Sequence, residues 1–226
     1  MSTLSNVTTR RGESNPPSVS FTPDASPEAK SSKTGVSVRY VPTPDKRWYV
    51  FRVSYGRGDK AADYLIEDGT YVYFAKRYAR KLVKGKQKML LEPLIPNLLF
   101  VYTTEDKAEE YIKNTPPRDT YLSYYYNHFK VDNDQKNPPL TIPDEEMHRF
   151  ILATCNKNEH LLFVQPFQCH FKGGEQVRVI EGPFAGVEGR VARVSGQQRV
   201  VISLSCIGLI STAYIPTAFL RRIDTD

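Results

Sequence analysis

The chain has 226 residues, 40% of them hydrophobic, with a formal net charge of +6 and a pI near 9.1. That length suits one large domain or two small ones, and no apolar run approaches the ~20 residues of a membrane span. Arg10, Arg11 and Glu13 stand where a signal peptide has its apolar core, so the expectation is a soluble, cytoplasmic monomer without membrane contact.

Three cysteines, Cys155, Cys169 and Cys206, form no Cys-x-x-Cys pair. An odd count without such a pair argues against a disulfide framework and a structural zinc site. Cys169-His170 has no second ligand cluster, which favours a linker cysteine beside a solvated histidine. No metal and no cofactor are expected.

Residues 1–45 read as a disordered tail, since 17 of the first 35 are Ser, Thr or Pro and no apolar periodicity appears. From Trp48 to Val53 the chain reads as a strand, with Tyr49, Phe51 and Val53 on one face and Trp48, Val50 and Arg52 on the other. Gly56 and Gly58 end it. Asp59 is a candidate N-cap, Ala62, Leu65 and Ile66 follow at helical spacing, and Gly69 takes the C-terminal cap position. A second strand, Tyr71–Phe74, leads into a basic segment. Residues 76–88 hold Lys76, Arg77, Arg80, Lys81, Lys84, Lys86 and Lys88 and no acid, with a turn at Lys84-Gly85-Lys86. The expectation is a long hairpin with a positive tip.

The chain returns through Glu92-Pro93-Leu94-Ile95-Pro96-Asn97, where the two prolines hold it extended, into Leu98–Tyr102. Leu98, Phe100 and Tyr102 point one way in a strand, Leu99 and Val101 the other. An apolar run without alternation means that both faces of this strand are covered. Helices at 105–113 and from Pro143 onward follow, separated by the aromatic strand Tyr121–Phe129 and a polar loop. The first six elements run strand, helix, strand, strand, helix, strand, the ferredoxin-like α+β pattern, in which two helices cover one face of an antiparallel sheet. The second cover of the apolar strand is assigned to a partner.

Residues 157–172 read as a linker, and 173–226 as a small SH3-like β-barrel of five strands. Val177, Val179, Val191, Val194, Val200, Val201 and Ile202 supply the β-branched density, and Gly182-Pro183-Phe184, Gly186, Gly189 and Ser195-Gly196 the turns. This module holds six basic and five acidic side chains, so a polyanion contact belongs to the first domain, residues 46–156. Phe184, at a turn tip, is either a barrel plug or an exposed anchor. Glu109-Glu110 and Glu145-Glu146 are adjacent carboxylates that diverge on a helix, and no nucleophile or metal set converges with them, so no enzyme is expected.

Glu92-Pro-Leu-x-Pro-Asn-x-Leu-Phe-Val101, with Trp48-Tyr49-Val50 upstream, resembles the N-terminal (NGN) domain of the NusG family. The run Gly174-x-x-Val-x-Val-x-x-Gly-Pro-Phe-x-Gly-x-x-Gly-x-Val191 is similar to the KOW motif. The likeness spans about residues 47–223 and leans to the specialised RfaH-type branch and its UpxY-type capsule-locus regulators. It implies an antitermination and processivity factor for long operons, such as those for capsule polysaccharide, with a housekeeping NusG-type factor or a ribosome-associated KOW RNA-binding protein as alternatives. It implies that Ile95, Leu98 and Phe100, joined here by Arg52, form a depression for the clamp helices of the RNA polymerase β′ subunit. It also implies that Lys76, Arg77, Arg80, Lys81, Lys84 and Lys86, with Arg57 and Lys60, meet non-template DNA or nascent RNA, with Tyr73 and Tyr78 adding stacking. Phe184 and Ile207 are the corresponding candidates for a KOW partner such as ribosomal protein S10 or termination factor Rho. RfaH-type proteins have aromatics at the positions of Ile95 and Leu98 and a tyrosine at that of Arg52. Tyr64 and Glu67 replace their basic or imidazole sequence readers. Some hold the KOW module as helices; here the β-branched density predicts β throughout.

Overall fold

The computed structural model describes residues 42–114, 121–131 and 136–223, with the backbone alone at 172–174. The tail expected at 1–45 lies almost wholly outside the described residues. The first domain runs β1 (Arg47–Val53), α1 (Gly58–Glu67), β2 (Tyr71–Tyr73), β3 (Lys76–Val83), β4 (Lys86–Pro93), β5 (Leu98–Thr103), α2 (Glu105–Lys113), β6 (Leu122–Tyr124), β7 (Thr141–Ile142) and α3 (Asp144–Thr154). β5 is central. It pairs antiparallel with β1 from Arg47↔Thr103 to Arg52↔Leu98 and with β2 from Tyr71↔Tyr102 to Tyr73↔Phe100. The outer edge of β1 is shared by β6 and β7, giving the order β2-β5-β1-β6 with β7 alongside. Asn97, at φ +60°, makes the bend into β5 in a conformation that asparagine tolerates, and its carbonyl accepts from Val53 N at 2.9 Å.

One face of this sheet is covered as the alternation predicts. Tyr49, Phe51, Val53, Leu99 and Val101 pack with Ala61, Ala62 and Leu65 of α1 and Ala108 and Tyr111 of α2. The Thr104 hydroxyl caps α2, accepting from Lys107 N at 3.4 Å. Asp59 sits in the first turn of α1 rather than at its cap, which is Arg57.

The other face departs from the expectation that a partner covers it. Its roof is α3. Met147, Phe150 and Ile151 join Trp48, Val50, Leu98 and Phe100 in one apolar cluster, with the Phe100 and Phe150 rings 5.1 Å apart. Tyr73 turns inward, its hydroxyl 2.6 Å from Thr154 Oγ1. Pairing of Trp48 with Ile142 in β7 fixes where the chain crosses to this face. Burial of each large side chain of α3 contributes about 1.5–3 kcal/mol.

The second module is β throughout: β8 (Leu162–Val164), β9 (His170–Val179), β10 (Glu188–Val194), β11 (Gln197–Leu204), β12 (Gly208–Tyr214) and β13 (Leu220–Arg222), in the order β13-β9-β10-β11-β12-β8. β8 and the first residues of β9 come from the stretch read as linker. β8 was missed because three residues carry no alternation to detect. Gly189 lies where β10 meets β11; a Cβ there would stand 2.5 Å from the Val201 carbonyl oxygen. Gly189→Ala is therefore expected to cost about 2 kcal/mol, read as a lower urea midpoint, and an unchanged midpoint would contradict this packing.

The barrel rests on the far side of α3. Phe184, Ile202 and Leu204 belong to the same apolar cluster as Phe100 and Phe150. The buried Glu146 carboxylate of α3 accepts from the Ser205 backbone and from its hydroxyl, the latter at 2.7 Å. Asn156 Nδ2 donates to the Pro183 carbonyl at 3.0 Å. Among the described residues, no helix is long and apolar enough to cross a membrane.

Candidate nucleic-acid interface and the covered sheet face

β3 and β4 form a separate two-stranded ribbon in register from Lys76↔Pro93 to Val83↔Lys86. Lys84 (φ +49°) and Gly85 (φ +74°) make a two-residue turn with both angles positive, which matches the twist of the flanking strands. The ribbon's cations divide by partner. Lys76 pairs with Asp59, and its ammonium lies 5.0 Å from the Phe74 ring centroid. Arg77 reaches Glu92 at 3.1 Å, and Lys81 reaches the same carboxylate at 2.5 Å. Lys81 first, then Arg77, hold the Glu92 carboxyl below the usual carboxylate range. Arg80 forms a two-pronged pair with Glu159 at 2.9 and 3.0 Å. Among the described residues, no acid lies within ion-pairing range of Lys84, Lys86 or Lys88, all exposed at the tip.

One ribbon face carries exposed apolar groups beside Arg80: Tyr78, Leu82, Met89 and Leu91, of which Leu82 is 72% exposed. Tyr78 is 44% exposed, whereas Tyr73 is partly buried against the apolar cluster with its hydroxyl bonded to Thr154. Lys60 is exposed on α1 and Arg57 half-buried just before it.

The four residues expected to form the apolar depression are not equivalent. Ile95, Leu98 and Phe100 are 4%, 6% and 0% exposed, in the apolar cluster that α3 joins. Arg52 alone is exposed, its guanidinium carbon 5.3 Å from the Tyr125 ring centroid. Of the aromatic strand, Tyr124 packs on Tyr49 and Phe51, Tyr125 is half-buried, and Tyr121 and Tyr126 are exposed. Phe184 takes the plug alternative at 4% exposure, and Ile207 is half-buried against the same cluster.

Cys169 is buried and its neighbour His170 exposed. Among the described residues, no group of three His, Cys, Asp or Glu side chains could hold a metal ion. Two features had no sequence signal: the Glu146–Ser205 bridge and the Arg80–Glu159 pair, which join residues 59 and 79 positions apart.

Residues 46–151 match the family model described as transcription termination factor NusG, and residues 174–203 match the KOW motif. The chain is 22% identical over 181 residues to the transcription termination/antitermination protein NusG of Streptococcus pyogenes serotype M3, and equally to that of serotype M1. Each alignment covers 76% of this chain and 93% of the relative. The matched segments coincide with the sheet domain and the β module, so the chain folds as an N-terminal domain of the NusG type followed by a KOW-type barrel and is similar to NusG-family transcription factors.

Proposed function

We propose that this protein is a specialised transcription antitermination and processivity factor. It bridges the clamp of RNA polymerase and steadies the elongation complex through long operons, those of capsule polysaccharide synthesis first among them. The observation that carries this reading is the β3–β4 ribbon, whose Lys84, Lys86 and Lys88 present unneutralised charge at and near the tip, with the exposed apolar side chains on the ribbon's opposite face. Such a ribbon binds phosphates through charge and bases through apolar contact, with little sequence preference. The ligand is the exposed non-template strand or the nascent RNA near the polymerase.

Clamp-helix contact begins at Arg52 and Tyr125, the accessible rim of the α3-side face. Leu98, Ile95 and Phe100 become available to the β′ clamp helices only where the barrel and α3 draw back from them. Ribosomal protein S10 or termination factor Rho would meet the barrel at the Phe184 and Ile207 loops, under the same condition. The work is cytoplasmic and needs no catalytic chemistry.

Transcription in vitro through a terminator tests the reading. Added protein is expected to raise read-through, and Arg52→Glu to abolish both read-through and capture by polymerase while the protein stays folded. Unchanged termination would overturn it. A general housekeeping factor would act on every template alike; a ribosome-associated one would bind ribosomal RNA and leave the polymerase untouched.

A further inference from the structure

The stretch between α3 and β8 is strapped to the basic ribbon and to the barrel. Tyr78 N donates to the Lys157 carbonyl at 2.9 Å, and Arg77 Nη1 to the Leu161 carbonyl at 2.7 Å. From the barrel, the buried Arg199 donates to the His160 carbonyl at 3.1 Å. Asn158 Oδ1 accepts from His160 N at 2.9 Å, and the Leu161 side chain is fully buried. Glu159 sits in the middle of this fixed segment. Its carboxylate is 26% exposed, whereas the Arg80 side chain it holds is 66% exposed.

The geometry has a direct chemical reading. A carboxylate gripped by the two parallel N–H groups of a guanidinium is gripped as a phosphate would be. An exposed ion pair of this kind stabilises a fold by at most about 1 kcal/mol, so the pair does little for stability. What it does is cancel the one arginine on the apolar face of the ribbon. The other ribbon acids, Asp59 and Glu92, are local to the first domain; Glu159 alone comes from beyond α3.

We propose that Glu159 is a built-in phosphate mimic: mounted on the rigid 157–161 strap, it occupies Arg80 and withholds that residue from the phosphate backbone of a single-stranded nucleic acid. The ribbon then has two levels of affinity. With Glu159 in place, Lys84, Lys86 and Lys88 bind alone. With Glu159 displaced, Arg80 adds a further phosphate contact next to Tyr78, Met89 and Leu91, where a base can stack. This rests on the nucleic-acid reading of the ribbon and extends it to a named regulator.

The test is fluorescence anisotropy of the full chain with a labelled 20-nucleotide single-stranded DNA over a series of KCl concentrations. Glu159→Gln is expected to tighten binding by about threefold to tenfold at low salt and to steepen the salt slope by about 0.7, one phosphate's worth. Arg80→Gln alone should change little, because Arg80 is already taken; Arg80→Gln combined with Glu159→Gln should lose the whole gain. Melting curves establish that each variant is folded. If wild type binds and Glu159→Gln binds equally, the mimic is wrong while the ribbon reading stands. If Arg80→Gln alone weakens binding as much as reversal of the tip lysines, Arg80 was free and the mimic is again wrong; should Glu159→Gln not fold, this variant decides the matter by itself. If neither wild type nor Glu159→Gln shows salt-dependent binding, the ribbon reading falls and the mimic with it.

Discussion

Phe100→Asp is expected to unfold the first domain rather than merely to blunt a docking surface. Phe100 is fully buried on the central strand β5, one ring contact from Phe150 of α3. Truncation of a buried Phe costs about 3–5 kcal/mol, and an unpaired carboxylate left in an apolar core adds several more. Against a total domain stability of about 5–15 kcal/mol, little folded protein survives. Circular dichroism and urea titration read this directly. A native melting curve for Phe100→Asp would mean that α3 does not roof the sheet in solution. The burial also dictates which variant probes polymerase contact cleanly. That variant is Arg52→Glu, because Arg52 can change without disturbing the core.

Reversal of the tip, Lys84→Glu with Lys86→Glu and Lys88→Glu, is expected to weaken single-stranded nucleic-acid binding by on the order of a hundredfold near 0.1 M salt, with the salt slope flatter by about 2 units. These three lysines make no ion pair among the described residues, so the melting temperature should hold. Lys81 is excluded from the set because it neutralises Glu92, and its reversal would put like charges together inside the ribbon. Affinity unchanged across the salt series would sink the ribbon as the contact.

The elements were legible where periodicity was strong. The apolar run at Leu98–Tyr102, the helical spacing at 105–113 and the lysine-rich turn at Lys84-Gly85 all carry short-range signals, and each appears in its expected place. The aromatic stretch Tyr121–Phe129 was not fully legible: only Leu122–Tyr124 pairs as a strand, since a β-rich composition does not say where a partner strand ends. α3 was legible as a helix, but which surface it would meet was not. The same amphipathic stripe fits any apolar face, and the choice follows from the pairing of β7 with Trp48.

By itself the amino-acid order determined that β5 must be covered on both sides, that the ribbon is cationic, and that the second module is β. These follow from side-chain alternation, charge and turn chemistry, all of which act within a few residues. Only the tertiary structure decided that the second cover is the chain's own α3, with the barrel packed behind it. It also decided that four of the seven ribbon cations from 76 to 88 are already neutralised, one of them by a glutamate 79 positions away. Burial and ion pairing depend on which distant surfaces meet, and no local pattern encodes that meeting.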